Sequence, residues 1–215
     1  MQEHGQRDLA LAGGLAALAG FVDAIGFIKI GGFFVAFMSG NTTLAGVSLA
    51  EGRFWDFAQA GGLIAAFVAG VVGGSILGRL VRRRQSAVML AVAALLATAA
   101  LAYLDPRAAL LAPPLLAAAM GAENAVFERD GEVTIGLTYM TGTLVKLGQA
   151  VARALSGEPA TEWRGYFLLW AGLSIGSIMG GTAFTFLGLW ALWIAVCFAV
   201  AAALLMRLRE RSATV

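Results

Sequence analysis

Hydrophobic residues form long runs along most of this chain, and polar residues are confined to short stretches between them. Six runs approach the roughly 20 residues that an α-helix needs to cross the apolar core of a bilayer; they are 9–28, 57–80, 87–104, 108–127, 166–186 and 189–206. Two weaker runs, 31–50 and 133–153, are interrupted by glycine and polar residues. The pattern predicts an all-α polytopic membrane protein with about six spans, or eight if the weaker segments also cross.

The composition agrees with a multi-pass membrane protein. The chain is 60% hydrophobic and 13% charged, with a mean hydropathy of +0.82, whereas soluble domains are nearer half apolar and a quarter charged. A net charge of only +2 gives no sign of a nucleic-acid surface, and one cysteine cannot form an internal disulfide. We find no nucleotide motif and no His/Cys cluster, so neither a cofactor nor a metal is predicted.

An internal repeat divides the chain. The stretch FMSGNTTLAGVSLA, residues 37–50, has a counterpart 102 positions later in YMTGTLVKLGQAVA, residues 139–152. The same register aligns a glycine series that fits close helix packing: Gly70, Gly74 and Gly78 with Gly172, Gly176 and Gly180. We therefore predict two homologous membrane repeats, 1–105 and 106–215, that together form one membrane domain.

Arginine clusters predict the orientation of the repeats. Arginines concentrate at 82–84 and 207–211, and such clusters mark cytoplasmic ends. Four clear spans separate them, so both clusters lie on one side only if 133–153 makes no net crossing. Each repeat then crosses three times, the repeats are inverted, as in many transporters, and both termini are cytoplasmic. The alternative is eight crossings with parallel repeats, which would place the clusters on opposite sides.

The repeated motif predicts a break in the membrane helices. GGFFVAFM and VTIGLTYM have an extended character, and Ser39 and Thr141 are natural N-cap residues. Each copy therefore predicts a strand, a glycine turn and a half-helix, which is tolerated at membrane depth only beside protein or a wet cavity. Two inverted copies would bring two half-helix N-termini together near the midplane. The expected substrate-binding residues are Ser39, Gly40, Asn41, Thr42, Thr43, Thr141, Gly142 and Thr143. The alternative is that these small residues only allow tight packing.

Two acids lie in apolar helices, where such residues are costly and usually functional. Asp23 in FVDAIGF aligns with Glu123 in AENAVF when the first helices of the repeats are offset by two residues. Either acid could carry a proton, bind a cation or hold an unwound backbone, and Asn124 could bond to the same site. Lys146 replaces Leu44 of the first repeat; it could pair with an acid, attract an anion or extend to the cytoplasmic surface. We assign these four residues to coupling or gating.

The motifs FVDAIGF…GGFFVAFMSGNTT and MGAENAVF…TYMTGTL resemble the YoaK-like family of bacterial membrane proteins, whose function is unknown. The resemblance covers nearly the whole chain, and it implies a location in the bacterial inner membrane without supplying a substrate. The family usually has an amide where Glu123 stands, which would make the second acid a feature of a subgroup. By architecture alone, the strand and half-helix also resemble the crossed elements of the nucleobase and sulfate transporter fold.

These patterns favour a small secondary transporter of a small anionic or polar solute, with proton coupling as one option. An ion or small-solute channel with the same symmetry is one alternative, and a structural or assembly protein without transport is another. An enzyme is not expected, although an Asp/Glu pair could support acid–base chemistry. The expected partners are the lipid bilayer and a small-molecule or ion substrate. Because six spans enclose little space, a second copy of the chain is a further candidate partner.

Overall fold

The computed structural model describes residues 6–129, 132–133, 136–158 and 161–212. Helices dominate these residues, which confirms the all-α polytopic fold; they are α1 Gln6–Ile30, α2 Met38–Ala50, α3 Phe54–Leu80, α4 Arg84–Ala102, α5 Ala112–Asn124, α6 Met140–Leu155, α7 Trp163–Leu187 and α8 Ala191–Ser212. Short 3-10 turns lie at Ala109–Leu111, Ala125–Phe127 and Gly188–Trp190. Two short strands, β1 Glu128–Arg129 and β2 Glu132–Val133, pair antiparallel after α5.

Five stretches of the described chain are long and apolar enough to cross a membrane: Leu9–Ile30, Phe54–Leu80, Arg84–Ala102, Ala109–Phe127 and Trp163–Ser212. The last is 50 residues long, and it is broken at Gly188, whose φ of 56° ends α7. Its two helices have 25 and 22 residues, so each can cross separately. In contrast, α2 and α6 have 13 and 16 residues, about 20 and 24 Å at 1.5 Å per residue, which is short of a bilayer core of about 30 Å.

Helix packing links the two parts of the chain closely. α1 packs along α7 and α3 packs along α5, while α4 packs against both α5 and α8. Glycine makes the first two pairings possible, because backbones touch there: a Cβ added to Gly70 would lie 2.0 Å from the carbonyl oxygen of Ala118, and one added to Gly176 would lie 2.0 Å from that of Ala17. Among the five candidate spans, those of α1 and α5 are the most buried and that of α3 is the least buried.

The two arginine clusters lie at the same end of the molecule. The carboxylate of Glu210, near the end of α8, accepts hydrogen bonds from the Ser86 hydroxyl at 2.5 Å and from the Gln85 backbone N–H at 3.0 Å, at the start of α4. Arginines 82–84 and 207–211 flank these residues. This placement agrees with an even number of crossings between the clusters, and it disagrees with the parallel arrangement of eight crossings.

The contacts between helices also set the register of α1 against α5. Gly74 and Gly176 are 102 positions apart, but their neighbours Ala122 and Ala17 are 105 positions apart. Gly70 and Gly172 give the same difference through Ala118 and Gly13. The two-residue offset expected from the sequence pairs positions 100 apart, whereas the glycine contacts of α1 with α7 and of α5 with α3 relate positions 105 apart.

Candidate functional site

The starts of α2 and α6 meet at a cavity. It has a volume of about 230 Å³ and is lined by residues from both copies of the repeated motif and one residue of α3: Ala36, Phe37, Met38, Ser39, Phe67, Thr138, Tyr139, Met140, Thr141 and Gly142. The half-helices begin at Met38 and Met140, which are equivalent positions of the repeat. Each half-helix also packs on a long helix, α2 on α3 and α6 on α7. This packing holds the starts of α2 and α6 beside the cavity.

Some of the predicted binding residues line this cavity and others do not. Ser39, Thr141 and Gly142 are among the lining residues. The structure places the remaining five away from the described lining: Gly40, Asn41, Thr42, Thr43 and Thr143.

Helix geometry explains the placement of the threonines. The hydroxyls of Thr42, Thr43 and Thr143 donate to backbone carbonyls four residues earlier, at 2.9, 3.3 and 3.1 Å. This is a common arrangement for threonine inside a helix. Gly40 lies against the aromatic ring of Phe37, to which an added Cβ would approach within 2.5 Å.

The helix starts differ from the sequence prediction by about two residues. The N-cap residues are Phe37 and Tyr139, neither of which caps through its side chain, so Ser39 and Thr141 lie in the first turn instead. The turn in the first copy occurs at Gly31 and Gly32, with φ of 80° and 101°, because these residues tolerate a left-handed backbone.

No strand forms over 31–37, so the predicted extended segment is an irregular loop. In the second copy the expected extended run includes 134–135, which lie outside the described residues.

Side chains from α1 and α2 hold the first loop. One carboxylate oxygen of Asp23 accepts hydrogen bonds from the backbone N–H groups of Val35 and Ala36, both at 2.7 Å. The buried amide of Asn41 accepts from the Phe34 N–H at 2.9 Å and donates to the Phe34 carbonyl at 2.7 Å. One of the three predicted roles of Asp23 was to hold an unwound backbone. Its carboxylate does so here, because it accepts hydrogen bonds from loop N–H groups that are outside any helix.

The second loop has fewer such contacts among the described residues. Asn124 donates to the Met120 carbonyl at 3.0 Å, and it accepts a hydrogen bond from the Thr138 hydroxyl at 3.4 Å. Thr138 lines the cavity, so Asn124 contacts one residue of the cavity wall.

Glu123 occupies an unusual position. It is fully buried, and neither carboxylate oxygen has a hydrogen-bond partner. The packing register of α1 and α5 aligns Glu123 with Leu18 rather than with Asp23, and aligns Asp23 with Glu128. In these glycine contacts, Asp23 and Glu123 therefore do not occupy corresponding positions.

Glu128, which follows the span Ala109–Phe127, is an acid that the sequence analysis overlooked. Its side chain is 5% exposed and lies 3.3 Å from Arg79 and 3.4 Å from Arg84. A hydrogen bond with Ser75 and these two guanidinium groups lower the pKa of Glu128. An acid directly after a span, with arginine in the last turn of α3, was the available signal for this ion-pair cluster.

Lys146 is exposed on α6. It forms no ion pair with Asp23 or Glu123, all three of which belong to the described part of the chain. Extension of this lysine to the cytoplasmic surface therefore stays a prediction.

Comparison with known proteins identifies the family. A family model described as "Protein of unknown function (DUF1275)" matches residues 11–205. The chain belongs to this family. It is also 41% identical over 186 residues to the UPF0700 transmembrane protein RA0705 of Rhizobium meliloti, covering 86% of this chain and 80% of that protein. No solved structure matches the chain. Together, these matches confirm the resemblance to a YoaK-like membrane family.

This DUF1275 member thus has a cavity whose chemistry comes from hydroxyls, aromatic rings, thioethers and the first turns of two helices. None of its described lining residues carries a charged side chain. Within the described residues, no group of three His, Cys, Asp or Glu is placed to hold a metal ion. The arrangement can bind a small solute through hydrogen bonds and helix dipoles.

Proposed function

We propose that this DUF1275 protein is a small secondary transporter of a small anionic or polar solute. The observation that carries this function is the cavity of about 230 Å³ between the starts of α2 and α6. Two copies of one motif contribute to it from opposite parts of the chain, as an alternating-access site between repeats requires.

The cavity suits a solute without a positive charge. The first turn of a helix has N–H groups without intrahelical partners and a partial positive charge, and both features favour an anion or a strong acceptor. Ser39 and Thr141 add hydroxyls beside these turns, and Tyr139 and Phe67 add aromatic surface. A small carboxylate or a neutral polar molecule would meet complementary groups there.

A pseudo-twofold relation between the repeats is supported by the order in which helices pack. If the repeats are exchanged, α1 becomes α5 and α3 becomes α7, so the pairing of α1 with α7 becomes that of α5 with α3. The pairing of α2 with α3 becomes that of α6 with α7, and α4 with α8 returns to itself. We therefore assign 1–105 and 106–215 to two repeats that could rock about the cavity.

Glu123 is the best candidate for ion coupling. An ionised carboxylate buried without a partner is strongly unfavourable, so Glu123 must take up a proton or a cation whenever it is enclosed as here. Asp23 has its loop contacts, which favour a structural role. We assign coupling to Glu123 and retention of the first loop to Asp23.

The location that fits this function is the bacterial inner membrane with both termini in the cytoplasm. The arginine-rich ends of α3 and α8 support that orientation, because cytoplasmic ends of membrane helices are enriched in basic residues.

Ligand-dependent stability tests the site directly. Purified protein would be screened by thermal shift at pH 5 and pH 8 against small carboxylates, inorganic anions and neutral polar metabolites, because a ligand that binds the native state raises its stability. Ser39→Ala and Thr141→Ala should weaken any stabilisation. Thr42→Ala is the matched control, because this hydroxyl is exposed and bonded within its own helix.

The uptake of any ligand found in this screen would then be measured in proteoliposomes that contain the protein. Saturable uptake that depends on a pH gradient supports a coupled transporter, whereas non-saturating flux supports a channel. The absence of ligand stabilisation in every class of compound would favour a structural or assembly role instead.

A further inference from the structure

A second cavity, of about 340 Å³, lies between α1 and α8. Its described walls are small or apolar along most of its length, with Ala10 and Gly14 on α1 and Phe198, Ala201 and Leu205 on α8, and Arg209 lies at one end. The two helices make far less extensive contact with each other than α1 makes with α7. A groove therefore remains open between them.

The shape of this groove resembles that of an extended hydrocarbon chain. From Phe198 to Arg209 it follows eleven residues of α8, about 16 Å at 1.5 Å per residue. That length is about half of a bilayer core of about 30 Å. At the other end, a Cβ on Gly14 would lie 3.5 Å from the tip of the Phe198 ring, so the aromatic ring approaches α1 and narrows the groove.

The charge around the groove is positive. Arg209 is the one charged side chain in its described lining, whereas Arg207 and Arg211, on the same final turns of α8, lie outside that lining. The acid among them, Glu210, is already engaged by Ser86 and Gln85 of α4. Within the described lining, Arg209 is therefore the charged side chain that an anionic group in the groove would meet.

We propose that this groove binds one anionic phospholipid, with an acyl chain between α1 and α8 and the phosphate against Arg209. A basic residue at the mouth of a cleft between membrane helices favours anionic headgroups. The apolar walls favour the chain, because a soluble phosphate would gain nothing from Phe198 or Leu205. The site is separate from the cavity between α2 and α6, and it does not depend on transport.

Native mass spectrometry of the purified full chain tests this assignment, with added phosphatidylglycerol compared with phosphatidylcholine. Arg209→Gln should lower the apparent affinity for phosphatidylglycerol by about fivefold, the contribution expected of one basic residue near an anionic headgroup, without changing that for phosphatidylcholine. Ala201→Phe should lower the binding of both lipids, because it fills the groove.

The controls use neighbouring residues outside the described lining. Arg211→Gln removes the same charge from the same helix, and Leu204→Phe enlarges a residue that is 53% exposed; both should bind lipid as wild type does. Circular dichroism and thermal unfolding would verify folding, and if Ala201→Phe fails to fold, the comparison of Arg209→Gln with Arg211→Gln decides. Equal losses in those two variants, equal binding of both lipids by wild type, or a groove covered by a second copy of the chain would overturn the assignment.

Discussion

Adding a single methyl group at Gly70 should separate two transmembrane helices. An ideal Cβ at this position lies 2.0 Å from the Ala118 carbonyl oxygen and 2.7 Å from the Ala118 Cα. Both are backbone atoms, so no side chain can move aside to make room. Gly73, three residues further along α3, has nothing within 4 Å of its Cβ position, which makes Gly73→Ala a matched control.

The size of the effect follows from two opposing terms. Replacing glycine by alanine in a helix interior favours the helix by up to about 1 kcal/mol, and this gain applies to both variants. Forcing an extra carbon into a well-packed interface costs about 1–3 kcal/mol, and this loss applies only to Gly70→Ala. We expect Gly73→Ala to match or slightly exceed wild-type stability and Gly70→Ala to fall below it.

Thermal unfolding in detergent, followed by circular dichroism, measures the difference. A domain of about this size loses about 2–4 °C of Tm per kcal/mol, so Gly70→Ala should melt several degrees below Gly73→Ala. If both variants melt together, or if Gly73→Ala is the less stable one, then close backbone contact between α3 and α5 does not hold this interface.

Three further outcomes concern the acids. Asp23→Asn should keep the first loop, because an amide oxygen can still accept from the Val35 and Ala36 N–H groups, whereas Asp23→Ala should lower the Tm. Glu123→Gln should leave stability equal or higher while abolishing the pH dependence of uptake. Because the folded-state pKa of Glu128 is lowered, its contribution to stability is present above about pH 4.3 and is lost as the pH falls through the folded value; Glu128→Gln should flatten that loss in melting curves from pH 6 to pH 3.

Each of these three predictions would be contradicted by a specific result. Equal destabilisation by Asp23→Asn and Asp23→Ala would mean that the negative charge matters more than the acceptor. Pronounced unfolding of Glu123→Gln would mean that a partner holds the carboxylate. The control for Glu128→Gln is Glu51→Gln, which changes an acid on an exposed loop at the opposite end of α3. If the loss of stability at low pH is the same in Glu128→Gln as in wild type, protonation of Glu128 does not cause that loss.

The sequence predicted those features that depend on local pattern. Apolar run length predicted the crossing helices, and the interruptions at 31–50 and 133–153 predicted short helices beginning near Met38 and Met140. The repeat predicted that these starts would share a site, and Ser39 and Thr141 do line one cavity. The structure contains these predicted features because each of them follows from the composition of its own segment.

Features that depend on how helices slide and rotate could not be predicted. Asp23 and Glu123 align in sequence, but the contact of Gly74 with Ala122 sets a different register, which no local pattern encodes. The hydroxyls of Thr42 and Thr143 looked available for a ligand, yet helix geometry turns them to their own carbonyls. Glu128 was missed because its partners lie about 45 to 50 positions earlier in the chain.

The interleaving of the two repeats has a consequence for how the chain is made. Ala17 meets Gly176 across 159 positions, so α1 is inserted into the membrane long before the helix that covers its glycine- and alanine-rich face has been synthesised. Ala118 follows Gly70 by only 48 positions, so α3 and α5 can join much sooner. Helix α1 is therefore synthesised long before its main partner α7, and a chain that stops before Trp163 would leave that face open to lipid or to the insertion machinery.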